Sequence, residues 1–172
     1  MLLEKGYVQV YTGDGKGKTT ASMGLAMRCV GSGGRVFVGQ FLKGRDSAER
    51  ESLAKLGVRV EHFGGIGFIA GEPSESDYAA AREAFTRIRE AALSGDYDLV
   101  VLDELNTVLF FGLIPVEEVL ALIRQKPAHT ELVLTGRRAP EEIVEAADLV
   151  TEMRAVKHYY DQGVPARLGI EE

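Results

Sequence analysis

A glycine-rich segment near the start of the chain has the residue types that bind a polyphosphate. It runs from Thr12 to Thr20 with the sequence TGDGKGKTT and follows the apolar alternating stretch at 7–11. Glycines let successive backbone N–H groups point at an anion, Lys18 adds a cation, and the hydroxyl of Thr19 can ligate Mg²⁺. The segment predicts nucleotide binding through residues Gly13, Asp14, Gly15, Lys16, Gly17, Lys18, Thr19 and Thr20.

The segment differs from the general phosphate-loop pattern at one position. G-x-x-x-x-G-K-[ST] places a glycine where this chain has Thr12, and the first glycine follows one residue later. A glycine-rich turn that binds nothing is the structural alternative. A dinucleotide-binding loop fits less well, because the glycines at 13, 15 and 17 are spaced G-x-G-x-G and no acidic residue closes the second strand.

Two carboxylates, Asp103 and Glu104, follow the apolar run 99–102. A buried strand that ends in a carboxylate can deliver a Mg²⁺ ligand opposite Thr19, directly or through water. A carboxylate that caps the next turn is the alternative, and Glu104 could also act as a general base toward water. The expected metal site therefore consists of Thr19, Asp103 and Glu104, and the division of roles between the two carboxylates stays open.

Basic residues follow two further strands at the same predicted edge. Lys43 comes after the apolar run 36–41, and Arg137 and Arg138 come after the run 132–135. Ligands of open parallel sheets bind at the carboxyl ends of the strands, which places these residues beside the glycine-rich loop. An arginine there can neutralise a phosphate chain. Since neighbouring residues cannot both easily face one site, one of the two arginines is expected to be a surface charge.

The elements that hold these residues alternate along the chain. Short apolar runs rich in β-branched residues alternate with helical patterns, which predicts an α/β fold with a mostly parallel, doubly wound sheet. Ser76 is expected to cap the third helix. The strands are predicted at about 7–12, 35–41, 58–63, 97–103, 130–135 and 148–152, and the helices at about 18–31, 46–56, 77–94, 115–126 and 140–147.

Composition limits the classes of protein that fit. A chain of 172 residues with 45% hydrophobic content suits one domain, 1–172. The net charge of −6 argues against nucleic acid or an anionic membrane as a partner. The single cysteine, Cys29, excludes an intrachain disulfide and a cysteine-cluster zinc site. No signal-type segment and no apolar run of membrane-spanning length is found, so a cytoplasmic protein is expected.

Several segments together resemble the P-loop-type ATP:corrinoid adenosyltransferases, the cob(I)yrinic acid a,c-diamide adenosyltransferase family. The resemblance covers nearly the whole chain, and in this family the missing first glycine is usual. It implies a P-loop NTPase fold with RecA-like architecture. The segments that carry it are TGDGKGKTT at 12–20, QFLKG at 40–44, VVLDEL at 100–105, TGR at 135–137 and VKHYYDQGV at 156–164.

The resemblance implies a transferase of cobalamin biosynthesis. Such an enzyme moves the 5′-deoxyadenosyl group of ATP to the Co(I) of a reduced corrinoid, cobalamin or cobyrinic acid a,c-diamide, and releases triphosphate. Because Co(I) is the nucleophile, Lys18, Thr19 and Glu104 would act by positioning and charge. ATP and Mg²⁺, an electron-donating reductase such as a flavoprotein, and a homodimer are implied. The alternatives are a P-loop nucleoside kinase or ATPase, and a nucleotide-gated module that delivers a corrinoid.

The resemblance also implies individual residue roles. ATP would lie in the reverse sense in the loop, which turns C5′ outward, and Arg28 matches the position that contacts the nucleotide sugar region. Phe68 matches the segment that closes over the lower corrin face, where aromatic residues displace the axial ligand of cobalt(II), and Ala70 stands where a tryptophan can occur. The residues expected at the corrinoid are Phe68, Lys43, His158 and Tyr159, and those at the nucleotide also include Arg28 and Arg137.

Overall fold

A six-stranded parallel sheet forms the centre of the computed structural model, which describes residues 1–43, 48–64 and 71–171. The order across the sheet is β3-β2-β4-β5-β1-β6, and every neighbouring pair is parallel. One strand, β5, lies between the strand before the glycine-rich loop and the strand that ends in Asp103. The strands are β1 (Val8–Thr12), β2 (Val36–Gln40), β3 (Arg59–His62), β4 (Leu99–Asp103), β5 (Glu131–Thr135) and β6 (Leu149–Glu152).

Helices cover both faces of the sheet, which confirms the predicted doubly wound α/β architecture. Residues of α1 and α2 pack with one side of the central strands, and residues of α3 to α6 pack with the other. None of the described helices is long and apolar enough to cross a bilayer. The helices are α1 (Lys18–Gly31), α2 (Ala48–Lys55), α3 (Glu75–Leu93), α4 (Leu105–Phe110), α5 (Val116–Gln125) and α6 (Glu141–Ala146), followed by a 3₁₀ helix (Tyr159–Gln162).

The neighbouring strands β2 and β4 are buried at every position. Layers of helix on both sides leave such strands no solvated face, which is why they read as nearly continuous apolar runs. Each of the two strands nevertheless ends in a polar residue, Gln40 or Asp103, and both side chains are fully buried. Burial of a polar group is costly unless it is hydrogen-bonded, so these two strand ends need partners at the same edge.

The prediction that Ser76 caps the third helix is wrong. The N-cap is Ser74, and α3 begins at Glu75. Asp77 explains the choice, because its backbone N–H donates to Ser74 Oγ over 3.3 Å while its carboxylate accepts from the backbone N–H of Ser74 over 2.8 Å. This reciprocal capping box is possible only for a serine three residues before Asp77.

Helix α4 was not predicted. Its six residues begin directly after Glu104, and Leu105, Val108 and Leu109 are buried. So short an apolar segment shows less than two helical turns, and its pattern cannot be told from that of a strand or a loop. The helix matters for the site because it fixes the direction in which the chain leaves β4.

Candidate functional site

The glycine-rich segment forms a turn between β1 and α1, as predicted. Gly13 (φ +96°) and Gly17 (φ +118°) adopt left-handed backbone conformations, which would cost another residue about 1–2 kcal/mol. Gly17 is the N-cap of α1, where no side chain caps the helix, and the first turn of α1 carries no acidic residue. The first N–H groups of this 14-residue helix therefore face the loop as an anion-binding end.

Two of the loop glycines lie against the backbone of Met153, the residue that follows β6. Gly15 N–H donates to the Met153 carbonyl over 2.7 Å, and Met153 N–H donates to the Thr12 carbonyl over 2.8 Å. A Cβ on Gly15 would lie 2.7 Å from the Met153 carbonyl oxygen, and a Cβ on Gly13 would also overlap Met153. These glycines are therefore required by the neighbouring backbone, whatever ligand the loop holds.

Lys18 is the buried cation of the loop. Its side chain is only 7% exposed, and Nζ donates to the Gly15 carbonyl over 2.7 Å. Burial lowers the pKa of Lys18, an effect that the negative charge of Glu104 opposes most among the neighbouring carboxylates. An ammonium has three donors, and an anion in the loop would offset the desolvation that this lysine experiences.

Asp103 collects hydrogen bonds from three elements. Its Oδ1 accepts from the hydroxyls of Thr19 (2.9 Å) and Thr135 (2.7 Å), and its Oδ2 accepts from Gln40 Nε2 (2.8 Å). Lys43 Nζ lies 3.8 Å from the same Oδ2. A fully buried carboxylate is tolerated when it is hydrogen-bonded in this way. Asp103 thus joins the ends of β2 and β5 to the phosphate loop.

The hydrogen bond from Thr19 leaves its hydroxyl suited to a cation. Since the proton points at Asp103, the lone pairs of Oγ1 stay open to a ligand on the loop side. Across the described ranges, no group of three or more histidine, cysteine or acidic side chains is placed to hold a metal ion. A cation at this position would take Thr19 and at most two carboxylates as its protein ligands. Its remaining ligands would be phosphate or water. That donor set fits Mg²⁺ bound together with a nucleotide.

Glu104 sits in a strained backbone position at the end of β4. Its φ of +66° lies in the left-handed region, which costs a residue with a side chain about 1–3 kcal/mol. Two hydrogen bonds hold it there: its N–H donates to Thr135 Oγ1 over 3.0 Å, and its Oε2 accepts from Thr107 Oγ1 over 2.6 Å. Residues in such conformations concentrate at functional sites. The alternative of a plain turn cap fits less well, because its side chain makes no capping bond to the backbone of α4.

The two adjacent arginines diverge, as expected for neighbouring residues. Arg137 is directed toward the loop, with Nε 3.9 Å from Asp14 Oδ1, and its charge also acts on Lys18. Arg138 instead lies over the ring of Phe110, with the guanidinium carbon 4.4 Å from the ring centroid. Only Arg137 is therefore placed to meet a ligand of the loop.

Some predicted residues lie away from this cluster. Arg28 is exposed in the last turn of α1, and a rise of about 1.5 Å per residue puts it roughly 15 Å beyond Lys18. Thr20 is exposed on the outer side of the same helix. Phe68 lies outside the described residues, as does Ala70. The nucleotide role of Arg28 and the corrinoid role of Phe68 stay predictions.

The remaining corrinoid candidates lie on two sides of the loop. Lys43 donates to Glu49 Oε1 over 3.0 Å near the end of β2. His158 precedes the 3₁₀ helix, and its Nδ1 accepts from the backbone N–H of Tyr160 over 3.0 Å. Tyr159 reaches back to the loop, where Lys16 Nζ donates to its hydroxyl over 3.0 Å. The C-terminal tail, residues 153–171, therefore lies beside the phosphate loop.

Four residues outside the predicted set also build the site. Gln40 and Thr135 bind Asp103, Met153 supports the loop glycines, and Glu171 contacts Lys16. Gln40 and Thr135 could have been predicted from the sequence, because each is a polar residue at the end of an apolar strand and needs a hydrogen-bond partner there. Met153 and Glu171 have no such signal, since their contacts depend on how the tail folds back.

The chain is similar in sequence to known proteins over nearly its whole length. The family model described as ATP:corrinoid adenosyltransferase BtuR/CobO/CobP matches residues 4–171. A corrinoid adenosyltransferase of Escherichia coli (strain K12) is 40% identical over 170 residues, which cover 98% of this chain and 86% of that protein. The corrinoid adenosyltransferase CobA of Salmonella typhimurium is 39% identical with the same coverage.

A third relative shows similar agreement. The corrinoid adenosyltransferase of Pseudomonas aeruginosa is 39% identical over 171 residues, which cover 98% of this chain and 84% of that protein. The matched region includes the phosphate loop, the Asp103–Glu104 strand end and the C-terminal tail. The chain therefore belongs to the ATP:corrinoid adenosyltransferase family.

Proposed function

We propose that the glycine-rich loop binds the triphosphate of ATP through its backbone N–H groups, Lys18 and Thr19, and presents the ribose C5′ to the Co(I) of a reduced corrinoid. The observation that carries this proposal is the convergence of Lys18, Thr19 and Asp103 on one loop at the N-terminus of α1. Such a loop binds a polyphosphate through backbone N–H groups, a lysine and a hydroxyl beside a metal ion. The transferase chemistry follows from membership of the family.

The proposed step is a displacement at carbon. An electron pair of Co(I) attacks C5′, the new Co–C bond forms, and the C5′–O5′ bond breaks. The electron pair of the broken bond leaves with the triphosphate, so the cobalt is formally oxidised to Co(III). No proton has to move for this step, and the negative charge develops on the leaving oxygen.

The residues around the loop can stabilise the negative charge that develops on the leaving oxygen. Lys18, Arg137 and the N-terminal end of α1 place positive charge where the triphosphate would depart. Mg²⁺ held by Thr19 with Asp103 and Glu104 would supply further positive charge against the leaving group. Because the donors are fixed by the strand ends before ATP arrives, little reorganisation is needed during the reaction.

A kinase or ATPase with the same loop would need a group that activates its nucleophile. Glu104 is the candidate for a base, but its Oε2 already accepts from Thr107. Adenosyl transfer to Co(I) requires no such base, and the relatives are named as adenosyltransferases. The kinase or ATPase reading therefore has no support from the family.

We also propose the partners that this reaction needs. Formation of Co(I) requires a strong electron donor, for which a flavoprotein reductase is the natural class. Lys43, His158 and Tyr159 border the loop and, with Phe68, are proposed to contact the corrinoid. A homodimer and a cytoplasmic location complete the proposal, by resemblance to the family.

The test combines the purified protein with ATP, Mg²⁺ and chemically reduced corrinoid in the dark. The expected result is an organocobalt product whose absorbance spectrum reverts on illumination, together with one triphosphate for each cobalt alkylated. Formation of ADP and orthophosphate without a carbon–cobalt bond would contradict the proposal, and a phosphorylated nucleoside would indicate a kinase.

A matched pair of variants locates the reaction at the loop. Lys18→Met keeps the length of the side chain but removes its charge, so we expect loss of both products. Lys55→Met removes an exposed charge from the last turn of α2 and should leave the rate unchanged. Equal rates in the two variants would contradict a role for the loop.

A further inference from the structure

The two lysines of the phosphate loop have different surroundings. Lys18 is buried and donates to the Gly15 carbonyl inside the loop. Lys16 points outward, and its Nζ donates to Tyr159 Oη (3.0 Å), to the Ile170 carbonyl (3.2 Å) and to Glu171 Oε1 (2.5 Å). An ammonium has three N–H groups. All the donors of Lys16 are therefore engaged by the C-terminal tail.

Glu171 is the centre of this contact. Besides Lys16, its carboxylate accepts from the hydroxyl of Tyr159, from the guanidinium of Arg167 through Nε and Nη2 (both 3.2 Å) and from the backbone N–H of Arg167 (2.9 Å). The Glu171 side chain is only 17% exposed. The hydrogen bonds from Arg167, Lys16 and Tyr159 hold the pKa of Glu171 well below its usual range. An isolated surface ion pair contributes little, whereas a network with charge-assisted bonds is the exception.

Tyr159 contacts the two cations in different ways. The Arg167 guanidinium carbon is 4.8 Å from the ring centroid, within the range of attraction between a cation and an aromatic face. Lys16 Nζ lies at the edge of the ring, 3.0 Å from the hydroxyl. Lys16, Tyr159, Arg167 and Glu171 thus form one connected group, which we call the clasp.

Outside the clasp, the tail buries little apolar surface. Several of its large apolar side chains point into solvent, with Val156 92%, Leu168 89% and Tyr160 74% exposed. Apolar burial is the usual source of stability for a docked segment, and these residues do not supply it. Among the described residues, the main polar contacts that fix the tail to the loop are therefore the clasp and the backbone bonds of Met153 with Gly15 and Thr12.

We propose that Lys16 is a positioning residue that acts through the clasp, and that Lys18 is the loop lysine that meets the triphosphate. The clasp holds residues 13–17 in the anion-binding conformation before the nucleotide arrives. A loop that is ordered in advance loses less conformational entropy on binding, which raises affinity. The inference rests on the proposed ATP site, and it adds the C-terminal tail to the residues that determine nucleotide affinity.

A double-mutant cycle on Lys16→Met and Glu171→Gln tests this proposal. The dissociation constant of ATP with Mg²⁺ is measured by calorimetry without corrinoid, so that no reaction occurs. Each single variant should weaken binding by about tenfold, and the double variant should be no weaker than either single one, because residues in one network are not additive. Lys18→Met should weaken binding much more than these variants.

A direct contact between Lys16 and the triphosphate gives a different pattern. Lys16→Met would then resemble Lys18→Met, while Glu171→Gln would tighten ATP binding because a competing carboxylate is removed. Either of these results, or additive effects in the double variant, would contradict the proposed role of the clasp. The matched control is the exposed pair Arg82 and Glu118 between α3 and α5, 2.6 Å apart. Arg82→Met and Glu118→Gln should not change ATP affinity.

A second measurement follows the tail without nucleotide. Trypsin cleavage after Arg167 should be faster in Lys16→Met and in Glu171→Gln than in the unaltered protein, and unchanged in Lys18→Met. Equal cleavage in all four proteins overturns the clasp. If the unaltered protein binds no ATP, the proposed nucleotide site fails, and this cleavage experiment still tests the clasp on its own.

Discussion

The hydroxyl of Thr19 donates a 2.9 Å hydrogen bond to Oδ1 of Asp103, which is 84 residues further along the chain. The bond connects the first turn of α1 to the end of β4, two strands away from β1 in the sheet. It orients the threonine proton away from the loop, so that the oxygen is presented to a cation. We therefore expect the affinity of the loop for Mg-nucleotide to depend on a residue outside the loop.

Replacement of this hydroxyl separates its role from that of the methyl group. We expect Thr19→Val to lower kcat/KM for ATP by about 100-fold or more, because a metal ligand is lost. Thr19→Ser keeps the oxygen and should retain most of the activity. The activities of both variants are measured as steady-state adenosylation rates at varied Mg²⁺ concentration. Similar activities for the two variants would show that the hydroxyl is not a ligand.

The charge of Glu104 can be removed with little change in its surroundings. Glu104→Gln keeps an oxygen that can accept from Thr107 and keeps the backbone at φ +66°. We expect adenosylation to fall by about 10–100-fold, with a change in the free energy of unfolding of less than about 1 kcal/mol. Glu83→Gln on the exposed side of α3 is the control and should change neither quantity. An active Glu104→Gln enzyme would exclude Glu104 from the metal site.

Two glycine-to-alanine changes should have effects of opposite sign on stability. In Gly15→Ala the new methyl meets the backbone of Met153 at 2.7 Å, so we expect the free energy of unfolding to fall by about 1–3 kcal/mol. In Gly24→Ala the methyl meets nothing within 4 Å, at an exposed position of α1, so the free energy of unfolding should rise by up to about 1 kcal/mol. Urea unfolding of both variants measures these changes. A neutral Gly15→Ala would mean that the tail can move away from the loop.

The buried ammonium of Lys18 should make stability depend on alkaline pH. Burial lowers its pKa in the folded chain below the ordinary value of 10.5. Between those two pKa values the unfolded chain binds more protons than the folded chain, so the free energy of unfolding rises with pH through this window. Lys18→Met has no such group. We therefore expect the slope of the unfolding free energy against pH to be less positive in this variant than in the unaltered protein when urea unfolding is followed from neutral pH toward 10.5. A more positive slope in the variant would contradict the burial.

The sheet and the loop could be predicted because their signals are local. All six strands were predicted close to their observed positions, since β-branched apolar runs such as that of β4 mark buried parallel strands. The strand-end rule predicted the same edge for Asp103 and Lys43, and the structure has Asp103 bonded to Thr19 of the loop and Lys43 beside Asp103. Helix α4 was not predicted, because six residues are too few to show a helical period of apolar side chains. The cap was assigned to Ser76 instead of Ser74, because the sequence alone does not show which of the two serines bonds to Asp77.

The residue types and their spacing specify the available chemistry: a glycine-rich loop with two lysines, a threonine and a carboxylate pair at a strand end. How those residues are used depends on the fold. The order of the sheet places Asp103 between Thr19, Thr135 and Gln40, and the fold of the tail places Glu171 on Lys16. The physical reason is that a lysine side chain is long enough to serve either a phosphate or a carboxylate. Its partner is set by the charged groups that distant parts of the chain bring within hydrogen-bond distance.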